Sequence, residues 1–263
     1  MGNCLYRKRG FIAVLEAIRR QSFSDYEVIV VEQYLREIFW DNVVGGTIAK
    51  YIPVKDDSSV FFCLPWCRNV GARAASGNVL VLLDADVVFG DDYFCRVVDS
   101  FDPGVGHMVG WSRCIYLNEQ GSLEYLSGSV YRTNQAPQLI QIEAQVGFHN
   151  REGCGGVIIF DKGFYFNVLG GYNENYFRWG REDKDAMYRA RALTGKFNFL
   201  EYDILHLYHP VKRKRRPGID TLYRLTRSSP LEASSLLVAA ELGKIEGRTL
   251  VDLPGSEEVE NVR

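Results

Sequence analysis

No stretch of this 263-residue chain is apolar for long enough to span a bilayer. No secretory signal is read at its start, where Met1 to Arg9 is polar and basic. Charge of one sign is scarce too. Lys and Arg number 31 against 33 Asp and Glu, a net −2, so no global field points to nucleic acid or an acidic polymer. The six cysteines stand singly at 4, 63, 67, 95, 114 and 154, apart from the Cys-x3-Cys at 63 and 67. No second Cys/His pair at zinc spacing accompanies that one, so free buried thiols in a reducing compartment are expected. There is no internal repeat. The expected setting is cytoplasmic, with peripheral contact at the inner membrane face as one use of the basic run at 212–216.

What is present is an ordinary globular composition, 46% hydrophobic and 24% charged, enough for one large domain or a domain with a small appendage. Phe11, Val14, Leu15 and Ile18 recur at helical spacing. Val28 to Val31 reads as a buried strand, and Ile48 to Val54 as an edge strand because of Pro53. A helix is expected around Trp66 to Ala75, and Val79 to Leu83 is the strongest strand. From 100 to 150 the pattern loosens among scattered glycines. Val157 to Phe160 resumes as a strand, a helix starts near Glu182 and closes at Gly195, and Phe199 to Tyr208 reads as extended. A last helix fits Pro230 to Leu242, before an acidic tail. Helices alternating with buried strands predict an open α/β sheet, mixed and mostly parallel, with ligands beyond the carboxyl ends of its strands.

Asp84 and Asp86 fall at such an end. Two carboxylates at i and i+2 can converge on Mg²⁺ or Mn²⁺, which would neutralise a diphosphate leaving group. Spacing alone favours a solvated turn, but the strongly apolar flanks make paired acids costly unless a cation compensates them. Trp179-Gly180-Arg181-Glu182-Asp183-Lys184-Asp185 is a second constellation. Acids in a first helical turn suit the helix dipole, and that reading fits Asp185 well. A turn glycine beside an indole, followed by acids, also suits a sugar site in which a carboxylate takes a hydroxyl proton. His206 and His209, two of only four histidines, could complete a metal site begun by the aspartates or simply face solvent. The run at 212–216 reads as a loop first and a diphosphate contact second.

The order of these pieces resembles a known family. The passage from Gln21 to Val31, and Arg68-Asn69-Val70-Gly71 leading into the Asp-x-Asp strand, look like family 2-type glycosyltransferases of the GT-A fold. Gly155-Gly156-Val157, Leu169-Gly170-Gly171-Tyr172 and Trp179-Gly180-x-Glu182-Asp183 resemble β-1,4-galactosyltransferases and chondroitin-polymerase-type modules. Tyr6-Arg7-Lys8-Arg9 and Val31-Glu32-Gln33 are similar to galactosyltransferase segments near the nucleotide.

The resemblance implies a GT-A catalytic domain over 1–216 and a helical extension with an acidic tail over 217–263. It implies an inverting transferase that moves a hexose or N-acetylhexosamine from a UDP-sugar, with Mn²⁺ or Mg²⁺. The acceptor would be a glycan, a lipid-linked sugar or a small molecule. Asp183 would be the base and Glu182 would orient the acceptor. Asp86, His209 and His206 would hold the metal, with Asp84 serving it through the diphosphate. Arg7, Arg9, Glu32, Arg68, Asn69, Asp84, Gly155, Gly156 and Trp179 would bind the donor. A retaining polypeptide N-acetylgalactosaminyltransferase-like enzyme shares some of these signals, and a sugar-nucleotide-binding module without turnover is the non-enzyme alternative. The sequence departs from the family in three places. Only Met1 to Leu5 stand where a first strand belongs, Arg181 replaces a usual glycine, and His206 replaces an apolar or Met residue.

Overall fold

The computed structural model describes residues 2–34, 40, 44, 49–56, 62–128, 140–145, 155–178, 180–210 and 218–253. The chain opens on helix α1 (Gly2–Arg19), which turns Phe11, Val14, Ala17 and Ile18 inward at the expected three- and four-residue spacing. The helix begins well before Phe11, so residues 2–5, where a strand belongs in the resembled family, are helical, as is the Tyr6–Arg9 segment after them. Strands β1 (Val28–Tyr34) and β2 (Ala49–Lys55) pair in parallel, in register from Val28 with Ala49. Helix α2 (Leu64–Ala74) starts with Pro65 in its first turn, where the missing amide costs nothing. β3 (Val79–Leu83) ends at the Asp-x-Asp turn, and the two-residue β4 (Val87–Val88) follows it.

The stretch from 100 to 145, where the sequence pattern loosens, carries regular structure. After α3 (Tyr93–Ser100) come β5 (His107–Val109), β6 (Arg113–Leu117), α4 (Glu119–Leu126) and β7 (Ile140–Gln145). β8 (Val157–Asp161) lies between β3 and β5 and is antiparallel to both. Its Val157, Ile158, Ile159 and Phe160 are wholly buried, each side chain stabilising the fold by about 1.5–3 kcal/mol. Burial of that size fixes β8, and with it the glycines at its head, against the end of β3. A π-helical turn (Tyr165–Leu169), α5 (Glu182–Thr194), β9 (Asp203–His206), α6 (Ile219–Ser228) and α7 (Pro230–Ala239) complete the order. α5 starts with acids in its first turn and closes on Gly195 at φ 68°, as expected.

The described strands form three sheets, in the orders β1-β2, β3-β8-β5 and β4-β9-β6-β7, and the expectation of a mostly parallel sheet needs correction. Among the named strands β1 with β2 and β6 with β9 pair in parallel, whereas β3 with β8, β5 with β8, β4 with β9 and β6 with β7 are antiparallel. The reason is connectivity. β8 and β9 return from the far half of the chain and insert beside strands made long before them.

Residues 218–253 pack closely on what precedes them. Gly170, left-handed at φ 79°, lets α7 approach so nearly that a β-carbon there would overlap Leu237 and the Val238 amide. Buried Glu174 accepts from the Gly243 (2.8 Å) and Thr249 (2.6 Å) amides, and Trp66 Nε1 donates to the Lys244 carbonyl at 2.7 Å. Cys63, Cys67 and Cys114 are buried free thiols, as expected, whereas Cys95 is free but only half-buried. No helix among the described residues is long and apolar enough to cross a membrane.

Candidate active site

β3 delivers its carboxylates to the head of β8. Leu83 pairs with Val157, so Asp84 falls opposite Gly156. The Asp84 amide donates to the Gly156 carbonyl at 2.8 Å, and the Gly156 amide donates back to Asp84 Oδ2 at 3.1 Å. Gly156 holds φ 97°, which disfavours any side chain. The carbonyl of Gly155 is held by Trp111 Nε1 at 2.9 Å.

Two residues further on, β4 pairs antiparallel with β9 and sets Val87 opposite His206. This brings both histidines to Asp86. His206 Nε2 lies 3.5 Å from Asp86 Oδ1, and His209 Nε2 lies 3.0 Å from Oδ2. β6 runs parallel to β9 on its other side, so the Tyr116 ring stacks on His206 with centroids 4.6 Å apart. Asp86, His206 and His209 offer three ligand atoms within 4.8 Å of one another. One carboxylate oxygen and two imidazole nitrogens suit an ion such as Mn²⁺. Burial pushes Asp86 up, but the hydrogen bond from His209 and the charges of His206, His209 and Arg7 outweigh it and hold the carboxyl below its ordinary value. Burial lowers His206 despite Asp86, which favours the neutral ring that binds metals.

Asp84, expected to serve the metal through the diphosphate, is held by protein groups at both oxygens. Its Oδ1 takes Arg68 Nη2 at 2.6 Å, and Oδ2 takes the Gly156 amide. Arg68, whose side chain is 6% exposed, reaches with Nη1 to Oδ1 of Asp183 in the first turn of α5. One guanidinium from α2 therefore joins the end of β3 to the start of α5. Burial works against the Arg68 charge, and Asp183, Tyr172 and Asp84 more than restore it. The Tyr172 hydroxyl also donates to Asp183 Oδ1, at 2.9 Å. Asp84 is pushed up to about 7, by burial first and by the charges of Asp183 and Asp86, against the downward pull of Arg68.

The residues expected at the donor divide. Arg7 and Arg9 are exposed on α1, with Arg7 near enough to act on Asp86. Asn69 does not open on the site. It is fully buried, giving Nδ2 to the Tyr172 carbonyl and Glu174 Oε1 and accepting at Oδ1 from the Tyr165 hydroxyl and the Tyr172 amide. With every hydrogen-bonding position used, Asn69 fastens the Gly170-Gly171-Tyr172 turn. Glu32 is likewise buried, accepting from the Trp40 amide at 2.9 Å and from the Tyr51 hydroxyl. Trp179 and the basic run at 212–216 lie outside the described residues. Arg181, where the resembled family has glycine, keeps a glycine-like backbone at φ 75°. Its side chain pairs with Asp220 at 2.8 Å and lies over the Tyr223 ring, tying α5 to α6. Tyr172, Trp111 and Tyr116 carry no local signal of a role in the sequence, although Tyr172 belongs to the Leu169-Gly170-Gly171-Tyr172 motif.

Burial, and then the charge of Asp183, push Glu182 up to about 7 from an ordinary 4.5. A carboxyl raised in the fold stabilises it fully below its unfolded value and loses that contribution as pH rises through the folded one. Metal-free wild type should therefore lose stability relative to Glu182→Gln between about pH 4.5 and 7. Melting temperatures of the two proteins across that window check this, and parallel curves would contradict it.

A family profile described as the N-terminal domain of galactosyltransferase matches residues 140–213, which include α5, β9 and both histidines. No curated protein matches the chain. Among solved structures, GalNAc-T7 with UDP, GalNAc and Mn²⁺ is similar at a TM-score of 0.52 and 16% identity, over 74% of this chain and 40% of that one. TarS 1-349 of S. aureus, in complex with UDP, is similar at 0.54 and 11% identity, over 88% of this chain and 64% of that one. The chain thus spans 40% and 64% of the lengths of these two structures. The shared architecture is the GT-A glycosyltransferase fold.

Proposed function

We propose that this chain is an inverting, divalent-metal-dependent glycosyltransferase. It would move a hexose or N-acetylhexosamine from a UDP-sugar to the hydroxyl of a glycan, lipid-linked or small-molecule acceptor. One observation carries the reading: Arg68 ties the candidate base, Asp183, to Asp84, two residues before Asp86 of the metal-competent Asp86–His206–His209 cluster. When bound, Mn²⁺ or Mg²⁺ at that cluster would supply the positive charge that stabilises a departing diphosphate. Asp183 takes the proton from the acceptor hydroxyl. The freed oxygen attacks the anomeric carbon from the face opposite the diphosphate, and the configuration inverts. Glu182, raised to about 7, is partly a neutral acid near neutrality and can donate a hydrogen bond that orients the acceptor.

The first test is a panel of nucleotide sugars with Mn²⁺, read by donor hydrolysis and thermal shift, with the anomeric configuration of any product assigned by NMR. Silence across all UDP-sugars would sink the proposal. Thermal shift without hydrolysis or transfer would identify a binding module, and retained configuration would identify the retaining class. His209→Ala should weaken Mn²⁺ by more than the roughly 10- to 100-fold that loss of an outer partner costs, measured by titration calorimetry. An unchanged Mn²⁺ affinity would remove His209 from the metal site.

A further inference from the structure

Both side-chain hydrogen bonds to Asp183 end on the same oxygen. Arg68 Nη1 and the Tyr172 hydroxyl donate to Oδ1, the latter at 2.9 Å. Among the described residues no donor reaches Oδ2. That oxygen faces Gly155, where a β-carbon would stand 3.4 Å away. The surrounding groups come from three separate places: Arg68 from α2, Tyr172 from the turn after the π-helical segment, and Gly155 from the head of β8. A carboxylate held by two donors on one oxygen cannot rotate without breaking both bonds. Its other oxygen keeps free lone pairs and a fixed direction.

We propose that Arg68 and Tyr172 are positioning residues that hold Oδ1 and reserve Oδ2, across from Gly155, as the oxygen that receives the acceptor proton. This rests on the reading of Asp183 as the base. In that step the acceptor O–H proton passes to Oδ2, and the acceptor oxygen forms its bond to the anomeric carbon. The bond from that carbon to the diphosphate breaks, and its electron pair leaves on UDP. A glycine at 155 leaves room for the hydroxyl on the side of the carboxylate that no donor among the described residues engages.

Tyr172 separates this role from donor binding, which Arg68 does not, because Arg68 also holds Asp84 at 2.6 Å. Tyr172 is fully buried, with the Arg68 guanidinium 4.9 Å over its ring, and its hydroxyl bonds to Asp183. Phenylalanine would keep the ring and remove only that bond.

The experiment compares wild type, Tyr172→Phe and Arg68→Lys by UDP-sugar turnover with Mn²⁺, donor KM and melting temperature. Tyr172→Phe should lower kcat by about ten- to a hundredfold, the scale of a misaligned reacting group, with donor KM and melting temperature near wild type. Arg68→Lys keeps the charge but not the fork that spans two carboxylates, and should lower kcat and raise donor KM together. Full kcat in Tyr172→Phe would overturn the assignment. So would a kcat loss accompanied by raised donor KM and a lowered melting temperature, which would mark Tyr172 as structural. Absence of turnover in the wild type would overturn the underlying reading of Asp183, and the wild-type measurement alone would reveal it.

Discussion

Asp183→Asn is expected to reduce transfer by about 10²- to 10⁴-fold, the contribution of a positioned general base, while UDP and Mn²⁺ still bind. Asparagine has the same shape, and its carbonyl oxygen can still accept from Arg68 and Tyr172. Its amide nitrogen cannot take a proton. The metal cluster sits at the pairing of β4 with β9, with Asp86 just before β4 and His209 just after β9, and not on α5, so the substitution leaves Asp86, His206 and His209 untouched. Arg68 loses one of two anionic partners and keeps Asp84, so its buried charge remains compensated. The expected kinetic signature is therefore a fall in kcat with little change in donor KM, the mark of an interaction made only in the transition state. Calorimetry with UDP and Mn²⁺, beside initial rates, decides the matter. An Asp183→Asn enzyme with more than about a tenth of wild-type kcat would mean that another group takes the proton.

Much of the site was legible because its pieces are local. The Val79–Leu83 run ends on Asp84 in the fold as it does in the sequence, and α5 occupies Glu182–Thr194 between its acids and Gly195. What could not be read is which distant strand lies beside which. His206 meets Asp86 because β9 inserts between β4 and β6, a pairing across more than a hundred residues that no local pattern records. β5 and β6 escaped notice for a related reason. They are short and largely buried, without the alternation that marks a half-exposed strand. α6 follows the basic run and Pro217-Gly218, where composition reads as loop. Asn69 shows the limit for single residues. Its place in a motif suggested the nucleotide, yet a turn one hundred residues later consumes its side chain.

Asp185 and Arg189 carry the largest expected effect on stability. Both are 0% exposed, and Arg189 Nε meets Asp185 Oδ2 at 2.9 Å. At that spacing on one helix the pair resembles any surface i,i+4 ion pair, worth about 0.3–0.5 kcal/mol. Its surroundings make it different. The Tyr176 hydroxyl donates to Asp185 Oδ1 at 3.2 Å. Arg189 Nη1 and Nη2 donate to the Leu169 (2.5 Å) and Gly171 (2.9 Å) carbonyls, at the turn that carries Tyr172 to Asp183. Asp185→Ala would leave a guanidinium buried without its counter-ion and should cost about 3–5 kcal/mol, lowering the urea midpoint without a large change in slope. Replacing both residues by Leu and Met would remove the unpaired charge but strip two buried carbonyls of their donor, at roughly 1–3 kcal/mol each. The double variant should therefore recover only part of the loss. Full recovery would show that water or neighbouring groups satisfy Leu169 and Gly171. Arg19–Glu16 on α1, with side chains 67% and 50% exposed, supplies the control, because Glu16→Ala should move the midpoint by less than about 0.5 kcal/mol. Equal effects of Asp185→Ala and Glu16→Ala would mean that burial adds nothing to the Asp185–Arg189 pair, and Asn69 would then be the main anchor of the turn that holds Tyr172.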